Sequence, residues 1–553
     1  MRGILNLTLC ALALILLAST GAEAAKSSST ACKRSIITKF VSYIKSLKSS
    51  SKGVINTSSA GPIYGITTSS GKEYLGIPYA QPPVDDLRFA DPVAFPKFTA
   101  VFNASAYGAS CPQYSGRETS EDCLTLNVFT PSSTSSNSKL PVMVWIHGGS
   151  FLVGGSSDAA FDGSNLASEG VIVVTLNYRL GLLGYFDGLG TNGNMGTLDA
   201  QMALKWVQNN IAAFGGNADK VTVFGQSSGG HMIRALMSSP ASEGLFDRAI
   251  IQSDPQNYGL QSRNVSADII GAIASSYIDC SDIACMRNAS IDDILNAQAA
   301  IQQQAPYLVA ASTGVALAEP ISPAIDGSVI IGDFSALAAA GNLPVNVDMI
   351  MGTVHDEANP TIEAQLPYPG VSSDYFAQVA VAVMGQDRAI QVLYSGLYTP
   401  DDSSDGVREA LAKLGTEFIW TCPTQANAVT LSSGRNVYLY EFEKGITYTP
   451  DNGGLSLCTS SEVCHEDDLY LTFGTYTSVT SSQKKLSAEV MDRWVAFAKT
   501  GSPNAVGYKT WSPVKSANKL NAYLLGDAKV NQTLRPTDCS FLQSVGFDYS
   551  IFG

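Results

Sequence analysis

The runs VIVVTLNY (Val171–Tyr178) and VTVF (Val221–Phe224) are apolar and β-branched, with no polar alternation. A strand with one wet face alternates, whereas a strand buried on both faces does not. Between the runs, Gly196–Phe214 sets Leu198, Met202, Ala203, Trp206, Ile211 and Phe214 at helical spacing. Strand–helix–strand order of this kind predicts a parallel-rich α/β sheet with helices over its faces. Two more strand-like segments, LTLNVF and PVMVWIHGG, flank the polar stretch Pro131–Lys139, which reads as a loop. No repeat or long linker follows Gly53, so residues 53–553 are expected to form one large domain with helical insertions in the second half.

Gly225-Gln226-Ser227-Ser228-Gly229 follows the VTVF strand and opens a helix expected to run to Met237. The five-residue pattern alone arises readily by chance in a chain rich in Ser and Gly. Its place between strand and helix carries the weight. A nucleophile elbow needs Gly on both sides because the turn is sharp. It lifts the Ser hydroxyl above the sheet edge and aims the next N–H at a reacting carbonyl.

A Ser hydroxyl needs a base. The four histidines are His147, His231, His355 and His465. In this architecture the base comes last, after the acid. His147 precedes the Ser; His231 lies on the same helix and cannot swing over the elbow. His355 stands two residues before an acid candidate, which leaves His465 as the base. The acid is sought in Gly352-Thr353-Val354-His355-Asp356-Glu357, after the apolar VDMIM segment. Asp356 and Glu357 are adjacent there, and the residues alone do not choose between them. Trp145–Phe151 (WIHGGSF) supplies an oxyanion hole, because main-chain N–H groups converge on a developing charge only where side chains do not intrude.

The first 24 residues read as a secretory signal. Arg2 precedes an apolar run, Leu9–Ala18, and Ala22-Glu23-Ala24 offers a small-residue cleavage site. The run is too short to span a bilayer. Residues 25–52 are a Ser/Lys-rich leader: Lys26–Lys52 holds seven Lys/Arg and no Asp or Glu. Its Cys32 lies before the dibasic pair Lys33-Arg34, and cleavage after Arg34 would remove it; an ordinary exposed tail is the alternative. Ile36, Ile37, Phe40, Ile44 and Leu47 follow at helical spacing, suited to folding back on the body or to a surface. The net charge of −14 therefore understates how acidic the rest is, which argues against nucleic acid as a partner. Five sequons, at Asn56, Asn103, Asn264, Asn288 and Asn531, fit a secreted, extracellular surface. Cys111/Cys123, Cys280/Cys285 and Cys458/Cys464 are close in sequence, while Cys422 and Cys539 are far apart. No spacing resembles a zinc site. In an exported chain disulfides are the better reading, although spacing alone does not give the pairing.

Together these stretches resemble the type-B carboxylesterase/lipase family. Those carrying the resemblance are GIPYAQPP…LRF (Gly76–Phe89), SEDCLTLNVFTP (Ser120–Pro131), VWIHGGSF, LNYRLG (Leu176–Gly181), Asn194–Gly216, GQSSGG, IIQS (Ile250–Ser253), GTVHDE and CHEDDLYLTFG (Cys464–Gly474). The resemblance implies an α/β-hydrolase fold and a Ser-Glu-His triad at Ser227, Glu357 and His465. It implies oxyanion donors at the N–H groups of Gly149, Ser150 and Ser228, and a Ser253 hydroxyl supporting the acid. Arg88 with Glu121, and Arg179 with Asp199, fall on structural ion pairs. The implied disulfides are Cys111–Cys123, Cys280–Cys285 and Cys422–Cys539, with Cys458–Cys464 as an extra clip beside the base. No metal or cofactor is required.

Several residues depart from the family pattern. Ala358 follows the acid and Asp254 follows Ser253 where Gly is usual; Ser228 and Ser150 replace Ala and Gly. Gln226 stands where many members carry Glu. The loop Pro112–Asp122 has eleven residues and no Trp, so a quaternary ammonium would lack its aromatic face and a cholinesterase is disfavoured. The same loop is too short to cover a deep acyl tunnel. The expected function is a secreted serine esterase cleaving short- to medium-chain carboxylic esters, with a small-molecule ester as partner and no stable membrane insertion. Two rivals are a triacylglycerol lipase acting on long chains and a catalytically inactive adhesion or scaffold homologue.

Overall fold

The unalternating apolar runs form the middle of an 11-stranded sheet. The computed structural model describes residues 53–310, 319–446, 455–459 and 461–547. The signal 1–24 and the leader 25–52, with Cys32 and the amphipathic stretch, lie outside the described residues. Backbone proximity divides the chain into Met1–Ile55 and Asn56–Gly553, and the second unit holds the fold described below.

In chain order the strands of the sheet are Ile66–Thr67 (β1), Gly71–Pro78 (β2), Thr125–Pro131 (β3), Leu140–Ile146 (β4), Ile172–Leu176 (β5), Gly216–Gln226 (β6), Arg248–Gln252 (β7), Asp348–Val354 (β8), Val437–Phe442 (β9), Ala522–Leu525 (β10) and Lys529–Asn531 (β11). Their spatial order is β11-β10-β9-β8-β7-β6-β4-β5-β3-β2-β1. From β10 to β5 the neighbours are parallel; the pairings beyond, at both edges, are antiparallel. This is an α/β-hydrolase sheet. In register, Val223 of β6 lies between Val144 of β4 and Ala249 of β7, all three fully buried.

The helix predicted over Gly196–Phe214 is present as α1 (Met195–Asn210) and a 3-10 turn, Ile211–Phe214, that ends at Gly215. The elbow helix is α2 (Ser228–Met237), ending where the sequence reading ends it. A third helix, α3 (Ser481–Thr500), starts at a Thr480/Gln483 capping box and stops at Gly501, φ 79°. One sheet face is sealed by aromatics. Trp145 meets Phe224, Phe473 and Phe161 with ring centroids 4.8, 5.0 and 5.1 Å apart, and Trp494 of α3 joins the same cluster.

Helical insertions fill the second half. Those between β8 and β9 pack Phe376, Leu411, Phe418 and Trp420 into an apolar cluster with Leu542 of the Pro536–Val545 helix. The Cys422–Cys539 disulfide crosses it, and Cys111–Cys123, Cys280–Cys285 and Cys458–Cys464 are joined as well. The two anticipated ion pairs form. Arg88 grips Glu121 through Nε and Nη2 at 2.6 and 2.5 Å, and Arg179 grips Asp199 at 2.7 Å through each nitrogen. Among the described residues no helix is long and apolar enough to cross a membrane. All five sequon asparagines are exposed.

Candidate active site

In parallel sheets, chemistry collects at the carboxyl ends of the strands. Here β4, β6, β7 and β8 end within a residue or two of Gly148, Ser227, Ser253 and His355-Asp356-Glu357. His465 follows β9 in the chain.

Ser227 sits in the turn between β6 and α2 at φ 57°, ψ −129°, a conformation that costs a non-Gly residue of order 1–3 kcal/mol. Two contacts enforce the turn. The Ser227 N–H donates to Gln252 O at 2.9 Å, and its carbonyl accepts from the N–H groups of Gly230 and His231. At Gly229 a Cβ would lie 2.1 Å from Ile146 O, so any side chain would drive α2 away from β4.

The turn after β4 has three consecutive left-handed residues, Gly149, Ser150 and Phe151, at φ 111°, 54° and 60°. A Cβ on Gly149 would meet Val153 O at 2.2 Å. Among the described residues the N–H groups of Gly149 and Ser150 make no hydrogen bond within the protein. The N–H of Ser228 opens α2, where helical N–H groups have no intrahelical acceptor. The Ser228 hydroxyl accepts from Phe151 N–H at 3.2 Å and ties the two turns together.

His465 pairs with Glu357: Nδ1 and Oε2 are 2.5 Å apart. Glu357 is fully buried, and its other oxygen accepts from Val354 N–H at 2.9 Å. Asp356 turns the other way. One of its oxygens faces His355 Nδ1 at 2.9 Å and the other accepts from Val463 N–H at 2.9 Å. Of the two adjacent carboxylates, Glu357 is thus the one that meets His465. Burial alone would push the His465 imidazole down; the Glu357 carboxylate, with Glu466 and Asp468 beyond it, outweighs that and lifts it to about 9.

The other histidines are occupied. His147 is buried, stacks on Tyr178 at 4.6 Å and is pushed down to about 4 by burial. His231 shares a 2.6 Å hydrogen bond with Glu319; burial pushes the imidazole down to about 3 and the carboxyl up to about 8.

Some roles differ from expectation. The Ser253 hydroxyl is buried and makes no hydrogen bond among the described residues; the support expected from it at Glu357 comes from the Val354 N–H. Ser253 contributes its carbonyl, which accepts from Trp420 Nε1 at 3.1 Å, and the Trp420 ring lies 5.6 Å from the His465 ring. Asp254 forms a bidentate pair with Arg234 of α2, at 2.6 and 2.8 Å. Gln226 is buried, and its amide nitrogen lies 3.0 Å from His465 Nε2. The sequence reading missed Asp468, buried three residues beyond His465, which accepts from Gln252 Nε2 at 2.6 Å; burial lifts its carboxyl to about 7. The doubled acid in CHEDDLY was its only trace.

Fold and site together define an α/β-hydrolase. The Carboxylesterase family model matches residues 51–542. The chain is 33% identical over 488 residues to the cAMP-regulated D2 protein of Dictyostelium discoideum, covering 84% of this chain and 86% of that one. It is 32% identical over 489 residues to the para-nitrobenzyl esterase of Bacillus subtilis (strain 168), covering 81% and 90%. Among solved structures, a PNB esterase superposes with a TM-score of 0.76 at 29% identity, covering 89% of this chain and 99% of that one. The chain belongs to the carboxylesterase family and is a carboxylic-ester hydrolase.

Proposed function

We propose that Ser227, Glu357 and His465 act as a catalytic triad and cleave carboxylic esters through an acyl-enzyme. The observation that carries this reading is the 2.5 Å His465–Glu357 hydrogen bond at the sheet edge where Ser227 occupies its strained elbow. Ser227 Oγ attacks the ester carbonyl and His465 Nε2 takes its proton. Glu357 fixes the tautomer and offsets the imidazolium charge. The carbonyl oxygen, now anionic, is held by the N–H groups of Gly149, Ser150 and Ser228, each worth roughly 3–4 kcal/mol in the transition state. The alkoxide leaves with the proton from His465. Water then attacks the acyl-Ser227, His465 again taking the proton, and the acid is released.

A base works only when unprotonated, and the carboxylates around His465 raise its proton affinity. Therefore kcat/KM should rise with pH, with an acid limb centred above 6.5. Activity unchanged down to pH 4 would exclude His465 as the base.

The preferred substrates in this proposal are short- to medium-chain esters taken from an open site. The Pro112–Asp122 loop is tied down: Gln113 donates to Gly154 O at 2.7 Å and accepts from Gly154 N–H at 2.8 Å, and Tyr114 OH donates to Asn296 at 2.9 Å. A loop so held does not swing as a lid. With a short-chain triglyceride, rate should follow substrate concentration smoothly through the solubility limit. p-Nitrophenyl butyrate should be cleaved far faster than triolein; a jump in rate at the interface, or preference for triolein, would favour the long-chain lipase instead. The four disulfides and the exposed sequons support an exported, extracellular enzyme, with residues 1–24 as signal, 25–52 as leader and the esterase body from residue 53.

A further inference from the structure

Resting on the triad reading, we propose that Gln226 is a positioning residue that parks the base: while the ring is neutral its amide, rather than the Ser227 hydroxyl, holds His465 Nε2, and it turns over when Ser227 gives up its proton. Glu357 takes the Nδ1 side of the ring at 2.5 Å, so a neutral imidazole carries its hydrogen there and offers a lone pair at Nε2. The Gln226 amide lies 3.0 Å from that atom. Among the described residues Ser227 Oγ makes no hydrogen bond. The amide oxygen lies beside the oxyanion turn: a Cβ built on Gly148 would stand 3.1 Å from Gln226 Oε1.

An amide suits this task because it is both donor and acceptor. Its N–H meets the neutral ring. Turned over about its last torsion, its oxygen meets Nε2–H of the imidazolium formed during attack. A glutamate at 226 could do only the second, and would hold the proton on the ring. The other groups acting on this imidazole are Glu357, Glu466 and Asp468, Glu319 from the second-half insertion, and the Trp420 ring. Gln226 alone of the described residues hydrogen-bonds Nε2.

The test compares wild type with Gln226→Met, of equal length without hydrogen-bonding groups, and with Gln226→Glu. Readouts are the burst rate constant with p-nitrophenyl acetate, the rate of fluorophosphonate labelling, and kcat/KM against pH. Releasing the ring from a competing partner removes a population cost, so Gln226→Met should acylate about 3- to 10-fold faster at pH values where the ring is neutral. Gln226→Glu should slow acylation at pH 7 and move the acid limb up by about one unit. Should Gln226→Met fail to fold, 15N-glutamine NMR of the wild type decides: one side-chain amide proton should lie downfield and move upfield when Ser227 is phosphonylated. Equal burst rates and pH profiles in all three proteins, a slower Gln226→Met with an unmoved acid limb, or no displaced amide signal would overturn the parking role alone. A wild type that takes no fluorophosphonate at Ser227 would overturn the triad itself.

Discussion

Ser227→Ala is expected to abolish fluorophosphonate labelling and to lower kcat by about 10⁶-fold, some 8 kcal/mol of transition-state stabilisation. The size of the loss follows from the chemistry: without the hydroxyl there is no acyl-enzyme. The N–H groups of Gly149, Ser150 and Ser228, proposed as oxyanion donors, remain, and would give only the residual rate that binding and charge stabilisation can sustain. His465→Ala should cost a similar factor, because an unassisted hydroxyl is nearly inert. The double variant should lose little more, since the groups act as a unit. Folding should be unaffected in Ser227→Ala; replacing a residue strained at φ 57° by the smaller Ala removes no buried hydrogen bond of its side chain. The measurement is steady-state hydrolysis of p-nitrophenyl butyrate, with intact mass after labelling. A Ser227→Ala protein retaining more than about 1% of kcat, or wild type labelled at another serine, would remove the proposed nucleophile. An inactive scaffold would show neither labelling nor turnover in wild type.

Features of the fold that depend on local pattern were legible in the sequence; those set by a distant partner were not. The elbow, α1 and α2 follow from runs and motifs whose meaning is contained within a few residues; the two ion pairs, which span 33 and 20 positions, came only from the family resemblance. The start of β6 was not legible. It begins at Gly216, five residues before Val221, because Gly216–Lys220 is polar and partly exposed at the sheet's end and reads as loop. β5 stops at Leu176, short of the predicted Tyr178; beyond it the Asn177 side chain bonds Ala109 O, Cys123 O and Ser156 N–H, distant partners that the local pattern does not reveal. Asp356 and Glu357 are chemically near-equal, and Asp356 is held away from His465 by bonds to His355 and to Val463, 107 positions along the chain. Gln226 could be flagged as unusual, but the partner of its amide lies 239 positions along the chain.

Asp254 is the departure with the largest structural consequence, and Asp254→Ala is expected to destabilise the protein by about 3–5 kcal/mol. Where the family pattern has Gly, this carboxylate sits 1% exposed against Arg234, which is fully buried on α2, two turns after Ser227. It also accepts from Gln256 Nε2 at 2.7 Å. Removing it strands a guanidinium that cannot shed its charge at any accessible pH. The converse change is milder and pH-dependent. In Arg234→Met the lone Asp254 escapes by taking a proton, so its folded-state pKa stands above the unfolded value near 3.9. A group raised in this way favours the folded state below its unfolded pKa and loses that contribution as pH rises. Arg234→Met should therefore approach wild-type stability near pH 4 and fall behind toward pH 8, whereas Asp254→Ala stays destabilised throughout. Combining Arg234→Met with Asp254→Ala removes both charges and should recover most of the loss. Urea unfolding followed by Trp fluorescence at pH 4, 6 and 8 reads all three variants. A loss below about 1 kcal/mol for Asp254→Ala, or a double variant no more stable than it, would mean that water or another side chain already satisfies Arg234, and that the acid after Ser253 is a tolerated replacement of glycine rather than the counter-ion that anchors the elbow helix.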